Sequence, residues 1–223
     1  MTGRDVTIIS DFDGTIAERD VGHHFFEAFI PRRSEHEALL EKWKLGLISS
    51  RECLEREIAM LEADRSDLDR FIEGERFDPF FRDFVDFCER RRFDLLIVSD
   101  GLDYYIDAML MKFGAGFLEY RANRLILDGD RIAGVEFPWH DPESCALCGN
   151  CKKRHVLELR EAGRLTVFIG NGLSDRCASG HADLVFAKGE LLDHCRKERI
   201  DCLPWRNFRD IERDLTARLL LRD

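Results

Sequence analysis

The sequence has no long apolar run and no excess of positive charge. Nothing in its 223 residues approaches the roughly 20 consecutive apolar residues of a membrane span. Its 34 basic side chains are outnumbered by 44 acidic ones, for a formal net charge of −10. That balance argues against nucleic acid and anionic membranes as partners, because binding either depends on neutralising phosphates with a basic face. Lysine is scarcer than the basic count suggests: Lys42, Lys44, Lys112, Lys152, Lys153, Lys188 and Lys197 are all there are. Internal repeats, low-complexity tracts and flexible linkers are missing too. Met1–Asp5 is not followed by a long apolar stretch, and the chain turns acidic by Asp11, so its start does not read as a signal peptide. Eight cysteines in a chain of this length, without an export signal, do not make a secreted disulfide framework. The expected compartment is the cytoplasm, with thiols reduced. Oligomeric state leaves no mark on the sequence.

Enough apolar residues are present, 44% of the chain, for a packed core. At about 150 residues per domain the length suits one full domain and a smaller companion. Three runs read as strands buried on both faces, the pattern of a parallel sheet covered by helices: Val6–Ile9, Leu95–Val98 and Leu165–Ile169. Each stops at a polar cluster: Ser10-Asp11-Phe12-Asp13-Gly14-Thr15, Ser99-Asp100-Gly101 and Gly170-Asn171-Gly172-Leu173-Ser174-Asp175. Ligands of open parallel sheets bind outside the carboxyl ends of the strands, so the three clusters are expected along one edge. Leu184–Ala187 is expected as a fourth, short strand. Leu125–Leu127 and Arg131–Ala133 around Asp128-Gly129 read as a hairpin.

Between the first two clusters the pattern is helical. Ser34-x-x-Glu37, Ser49-x-x-Glu52 and Ser66-x-x-Asp69 resemble capping boxes, and Phe25, Phe26 and Phe29 form an apolar stripe suited to a bundle's own core. Residues 18–78 are expected to form a helical lid inserted into an α/β domain built from residues 1–17 and 79–223. Asp78-Pro79 opens the helix that returns to that domain. Further helices are expected over Asp103–Phe113, stopped by Gly114, over Glu190–Arg199, and in the tail from Asn207.

Asp11 and Asp13 sit two apart just past a strand. Neighbouring carboxylates raise one another's pKa unless a cation or a proton-transfer role resolves the conflict. Mg²⁺ suits such a pair, because it takes oxygen ligands and keeps waters that a phosphate can displace. A carboxylate can also attack phosphorus directly, while Gly14 turns the chain and presents N–H groups to an anion. Asp-x-Asp alone is equally an acidic turn at a strand end. The full string Asp11-Phe12-Asp13-Gly14-Thr15-Ile16, however, resembles the first motif of the haloacid-dehalogenase-like phosphatases. Ser99 resembles that family's second motif, Lys152 its third, and Gly170–Asp175 its fourth, all in the family's order. Within the family the chain resembles the phosphoserine-phosphatase-like branch. Ser99-Asp100-Gly101-Leu102-Asp103 and Cys148-Gly149-Asn150-Cys151-Lys152 are most similar to its methionine-salvage phosphatases. Similar Ser-Asp-Gly strings occur in phosphoethanolamine and phosphocholine phosphatases.

The resemblance implies a Rossmann-like α/β core with helices on both faces of a parallel sheet, an inserted type-one helical cap, and hydrolysis of a small phosphorylated metabolite with Mg²⁺. Asp11 would be the nucleophile and Asp13 the general acid and base. Ser99 and Lys152 would bind the phosphoryl oxygens, with Gly14, Thr15 and Gly101 beside them. Asp11, the Asp13 carbonyl, Asn171 and Asp175 would hold the metal. Lys153 is the only other lysine in the window before Leu165, and Lys152 is preferred because it follows Cys151 as in the similar string. Asn171 departs from the pattern, since the family commonly has aspartate there, and an amide is a weaker metal ligand. In the lid, Asp20, His23 and His24 follow the first motif closely enough to face substrate. Arg56, beside Glu55, falls near the position of the branch's carboxylate-binding arginine, and that offset weakens a phosphoserine assignment. His23 and His24 read equally well as exposed residues at a helix start.

Cys145, Cys148 and Cys151 recur every three residues, with His140 before and His155 after. Such thiols can share a structural Zn²⁺, form a Cys148–Cys151 disulfide, or simply make a thiol-rich loop. Two further readings from other classes stay open: a weak phosphometabolite-binding or regulatory protein, and a metal or redox protein centred on this loop.

Overall fold

The computed structural model describes residues 5–143 and 145–220. Along the chain run β1 (Val6–Ser10), α1 (Val21–Phe29), α2 (Arg33–Lys44), α3 (Ser50–Met60), α4 (Arg65–Glu73), α5 (Phe81–Arg91), β2 (Asp94–Leu102), α6 (Asp103–Phe113), β3 (Glu119–Asp128) and β4 (Arg131–Glu136). There follow α7 (Lys152–Glu161), β5 (Leu165–Gly170), α8 (Arg176–Ser179), β6 (Leu184–Ala187), α9 (Gly189–Glu198), β7 (Leu203–Pro204) and α10 (Phe208–Leu215). The hydrogen-bonding order of the sheet is β4-β3-β2-β1-β5-β6-β7. Its pairings over β2, β1, β5, β6 and β7 are all parallel, and β3 with β4 is antiparallel. This is the α/β class expected from the apolar runs. Among the described residues no helix is long and apolar enough to cross a membrane.

The chain divides into two compact units. One comprises Met1–Glu18, Phe77–Ile97 and Lys152–Asp223. Here Ile8 of β1 lies opposite Leu95 on one side and Val167 on the other. Ile8, Ile9, Ile97, Val167 and Phe168 are completely or almost completely buried, which is why these strands carry apolar residues at every position instead of alternating. Burial of each such side chain is worth about 1.5–3 kcal/mol. The helix α10 closes the unit through Phe208, whose ring lies 4.9 Å from Phe84 and 5.0 Å from Phe81 of α5. Phe208 is wholly buried, so Phe208→Ala is expected to cost about 3–5 kcal/mol. Urea unfolding checks this: a midpoint unchanged from the parent would show that α10 is dispensable.

The other unit comprises Arg19–Arg76 and Val98–Cys151. It contains α1 to α4, α6 and the β3–β4 hairpin, with α3 against β4 and α4 against α6. In its interior, His36 of α2 meets Glu57 of α3 at 2.7 Å, both almost fully buried. Three expected helix boundaries differ. Helix α2 starts at Arg33 with no side-chain cap, so Ser34 lies inside the first turn. Helix α4 starts from Asp64, whose carboxylate accepts from Asp67 N–H while Asp67 accepts from Asp64 N–H. This capping box lies two residues before the one centred on Ser66. Helix α5 begins after Phe80, whose N–H donates to Asp78, so Asp78-Pro79 forms the turn and not the first helical residues. Ser49 caps α3, Asn207 caps α10, and Gly114 ends α6 in the left-handed region, as the sequence pattern indicates.

Candidate active site

The first cluster leaves β1 in a tight turn over Phe12–Ile16. Asp11 N–H donates to Ile169 O at 2.9 Å, fixing the turn to the neighbouring strand β5. Phe12 goes into the core against Phe77, so Asp11 and Asp13 are left to the polar side of the turn. Gly14 has φ 65°, a left-handed conformation that permits the reversal between Asp13 and Thr15. Asp11 is buried and Asp13 half-buried.

Lys152 is the first residue of α7 and is 1% exposed. Its Nζ donates to Asp11 Oδ1 at 2.5 Å, to Asp175 Oδ1 at 2.7 Å and to Ser174 Oγ at 3.1 Å. Burial pulls the ammonium towards neutrality, but the carboxylates of Asp11 and Asp175 outweigh it and hold its pKa above the ordinary lysine value. Asp11 moves up as well. Burial is the main cause and the nearby Asp175 charge the second, with Lys152 opposing both. One ammonium is therefore set against three carboxylates, because Asp13 adds its own repulsion to Asp11.

Asp175 is fully buried, and its Oδ2 accepts from the N–H groups of Asn171 (2.8 Å) and Gly172 (3.0 Å). It packs so closely over Gly170 that a Cβ there would collide with the carboxylate. The Gly-x-x-x-x-Asp spacing of the fourth cluster is thus a backbone requirement. Asn171 Oδ1 accepts the Thr15 hydroxyl at 3.0 Å, tying the first cluster to the fourth. The donor set is oxygen throughout, and its negative charge exceeds the single buried ammonium. That chemistry fits Mg²⁺, a hard cation that takes carboxylate and amide oxygens.

Lys188 went unrecognised in the sequence. It follows β6 directly, its Nζ lies 3.9 Å from the centre of the Trp205 ring, and its N–H donates to Gly170 O. Burial lowers its pKa, while Asp78 and Asp11 act to raise it. The available signal was its place at the carboxyl end of a parallel strand, together with the rarity of lysine.

The remaining sequence candidates belong to the other unit. Ser99 is buried, and its Oγ accepts from Gly101 N–H at 2.9 Å. Asp20 caps α1 by accepting from His23 N–H, and His24 Nδ1 lies 2.5 Å from Asp20 O. His23 faces Glu27 at 3.8 Å. Arg56 is exposed and paired with Glu52 at 2.5 Å along α3. Among the described residues the three thiols of Cys145, Cys148 and Cys151 form a cluster that includes neither His140 nor His155, and the eight cysteines form no disulfide.

A family model described as haloacid dehalogenase-like hydrolase matches residues 8–179. Over 213 residues, 94% of this chain and 95% of its relative, the sequence is 29% identical to a 2-hydroxy-3-keto-5-methylthiopentenyl-1-phosphate phosphatase of Brevibacillus brevis. The namesake from Lysinibacillus sphaericus is 28% identical over 212 residues, covering 91% of this chain and 90% of that one. A solved structure of a phospho-aspartyl intermediate analogue of phosphoserine phosphatase superposes with a TM-score of 0.72 at 22% identity, covering 94% of this chain and 98% of the other. At that identity the likeness speaks for the fold.

Proposed function

From the chain's membership of the haloacid dehalogenase-like hydrolase family, we propose a mechanism in which Asp11 is the nucleophile of a Mg²⁺-dependent phosphatase. The protein is a phosphomonoester hydrolase of that family. The observation that carries the nucleophile assignment is the buried Lys152 ammonium bonded to both Asp11 and Asp175. Its charge opposes the rise that burial and Asp175 impose on Asp11 and so favours the ionised form that a nucleophile needs.

In the first step an Asp11 carboxylate oxygen attacks phosphorus in line. A bond forms from Asp11 to phosphorus, the ester bond to the substrate oxygen breaks, and Asp13 gives its proton to the departing alkoxide. In the second step Asp13 takes a proton from water, whose oxygen attacks the aspartyl-phosphate. The acyl-phosphate bond breaks, restoring the Asp11 carboxylate and releasing inorganic phosphate. Throughout, Lys152 offsets charge on the phosphoryl oxygens, which gains strength in a dry site. Asp11, the Asp13 carbonyl, Asn171 and Asp175 would hold Mg²⁺, which supplies a Lewis-acid charge to the phosphoryl group. Thr15 and Gly14 hold the turn that carries the two acids, and Ser99 with Gly101 binds phosphoryl oxygen.

Residues 18–78 act as the cap that selects substrate, and the selection falls on a small enol- or sugar-type phosphate of methionine salvage. The names of the two bacterial relatives support that class. The pairing of Arg56 with Glu52 disfavours an amino-acid carboxylate there, and leaves Asp20, His23 and His24 to contact polar oxygens. Phosphate release from a panel of phosphorylated metabolites tests this reading. Turnover that needs Mg²⁺ and prefers enol or keto-sugar phosphates to phosphoserine is expected. Equal turnover in excess chelator, or a preference for phosphoserine, would contradict it.

Asn171→Asp adds a carboxylate where an amide now accepts from Thr15, and an aspartate can accept the same bond. We expect Mg²⁺ to bind at least several-fold tighter in this variant, since affinity follows ligand charge. Calorimetric titration of both forms with Mg²⁺ measures the change directly, and equal dissociation constants would remove position 171 from the metal site.

A further inference from the structure

The thiol cluster plays no part in the phosphatase chemistry, yet its surroundings are built with care. Between β4 and α7 the described residues 137–143 and 145–151 form neither helix nor strand, and connections of this length in a compact domain usually have a function or an anchor. Here hydrogen bonds fix the cysteine-bearing backbone. Leu147 O accepts from Ser50 N–H at 2.8 Å, Gly149 N–H donates to Ser50 Oγ at 2.9 Å, and Cys148 O meets His140 Nδ1 at 2.9 Å. Cys148 is thereby held on both sides and through its own carbonyl. Next to it, the buried Asn150 donates from its side chain to Ser99 O (2.9 Å) and Arg121 O (2.8 Å), and from its N–H to Asp100 Oδ1 (2.8 Å).

This scaffold brings the Cys145, Cys148 and Cys151 sulfurs within 4.8 Å of one another. Cys148 is the middle member, 3.3 Å from the Cys145 sulfur and hydrogen-bonded to that of Cys151. For a tetrahedral zinc with Zn–S bonds of about 2.3 Å, ligand sulfurs lie about 3.8 Å apart. With one edge at 3.3 Å and none above 4.8 Å, the triangle spans that value. A disulfide would consume two of the thiols and strand the third. Thiolate donors select Zn²⁺ over Mg²⁺, so the cluster does not compete with the oxygen site around Asp11.

We propose that Cys145, Cys148 and Cys151 bind one Zn²⁺ ion per chain, with water in the fourth position. His140 does not serve as the fourth ligand, because its ring nitrogens lie outside the cluster of sulfurs. Cys145 and Cys148 are half-buried while Cys151 is 1% exposed, which leaves the open position on the solvent side. Each ligating thiol gives its proton to solvent as the metal binds. The ion is a staple for the loop, whose last residue, Cys151, directly precedes Lys152. Any effect on turnover through that lysine rests on the phosphatase reading, whereas metal binding itself does not.

The test keeps the two apart by measuring metal first. Full-length protein is purified with a thiol reductant and no chelator, incubated with Zn²⁺, desalted and assayed by plasma mass spectrometry. One zinc per chain is expected, absent from a Cys145→Ser/Cys148→Ser double variant with an unchanged circular dichroism spectrum. Co²⁺ in place of zinc should give thiolate-to-cobalt charge-transfer absorption in the parent protein. That reading decides the matter even if the double variant fails to fold. A parent protein without stoichiometric zinc, full zinc retention by the folded double variant, cobalt spectra lacking thiolate bands, or a disulfide between any two of the three under reducing conditions would each overturn the proposal.

Discussion

Asp11→Asn is expected to abolish turnover, by on the order of 10⁴-fold or more, as removal of a covalent nucleophile does in other enzymes. The amide is isosteric, cannot attack phosphorus, and can still accept through its oxygen from Lys152, which lies 2.5 Å from Asp11 Oδ1. Loss of activity should therefore come without loss of the fold. Burial and the Asp175 charge both disfavour ionised Asp11. Replacing it with a neutral group removes that penalty, so the variant should be at least as resistant to urea as its parent. Activity with p-nitrophenyl phosphate and a urea curve, measured together, check both halves. A variant that is inactive because it is unfolded would not count in favour of the assignment, and one that retains substantial activity would place the nucleophile elsewhere.

The second large effect is at Lys152. Truncating one partner of a buried charge pair leaves the others uncompensated and costs about 3–5 kcal/mol. Lys152→Ala strands two such partners, Asp11 and Asp175, so stability should fall by at least that amount. Its turnover should fall further than the stability loss explains, because a cation facing a developing phosphoryl charge is worth about 10²–10³ in rate. The neighbour Lys153 provides the control, since it lies in the first turn of the same helix but is absent from the buried cluster. Lys153→Ala should leave both readings near the parent values. If the two variants were indistinguishable, the choice between the adjacent lysines would be wrong.

The parts of the fold that were legible are those where burial alone decides. The strands β1, β5 and β6 are apolar at nearly every position because both of their faces are covered, and such runs stand out from half-exposed segments. The clusters after β1 and β5 were readable for a related reason: a polar string after a buried parallel strand marks a sheet edge. Strand β3 was less visible. Its first half, Glu119–Arg124, carries charged residues and Asn123, which is fully buried because its side chain donates to Asp100 O at 2.7 Å. A polar residue whose amide donates inside the protein looks like a loop until its partner is known. The α4 cap shows another limit. Asp64-x-x-Asp67 and Ser66-x-x-Asp69 overlap, and only the three-dimensional bonds select the first.

Within the candidate site, Asp11, Asp13, Lys152 and Asp175 were proposed from the resemblance of their strings to the family's motifs, because each belongs to a string with its own local geometry. Lys188 was missed because it has no such string. Its position depends on Trp205, a residue 17 places further along the chain that contributes only through the tertiary fold. Asn171 was read as a departure from an acidic pattern, and its bond with Thr15 across the two clusters was beyond the reach of sequence spacing.

The central claim is that the phosphoryl group passes through Asp11. Rapid acid quench during turnover, followed by borohydride reduction of any acyl phosphate and peptide mass spectrometry, addresses it directly. Reduction at Asp11 in the parent protein, dependent on substrate and absent from Asp11→Asn, is the expected result. Unmodified Asp11 under conditions where the intermediate of a known aspartyl-phosphate enzyme is trapped, or modification at a different residue, would contradict it.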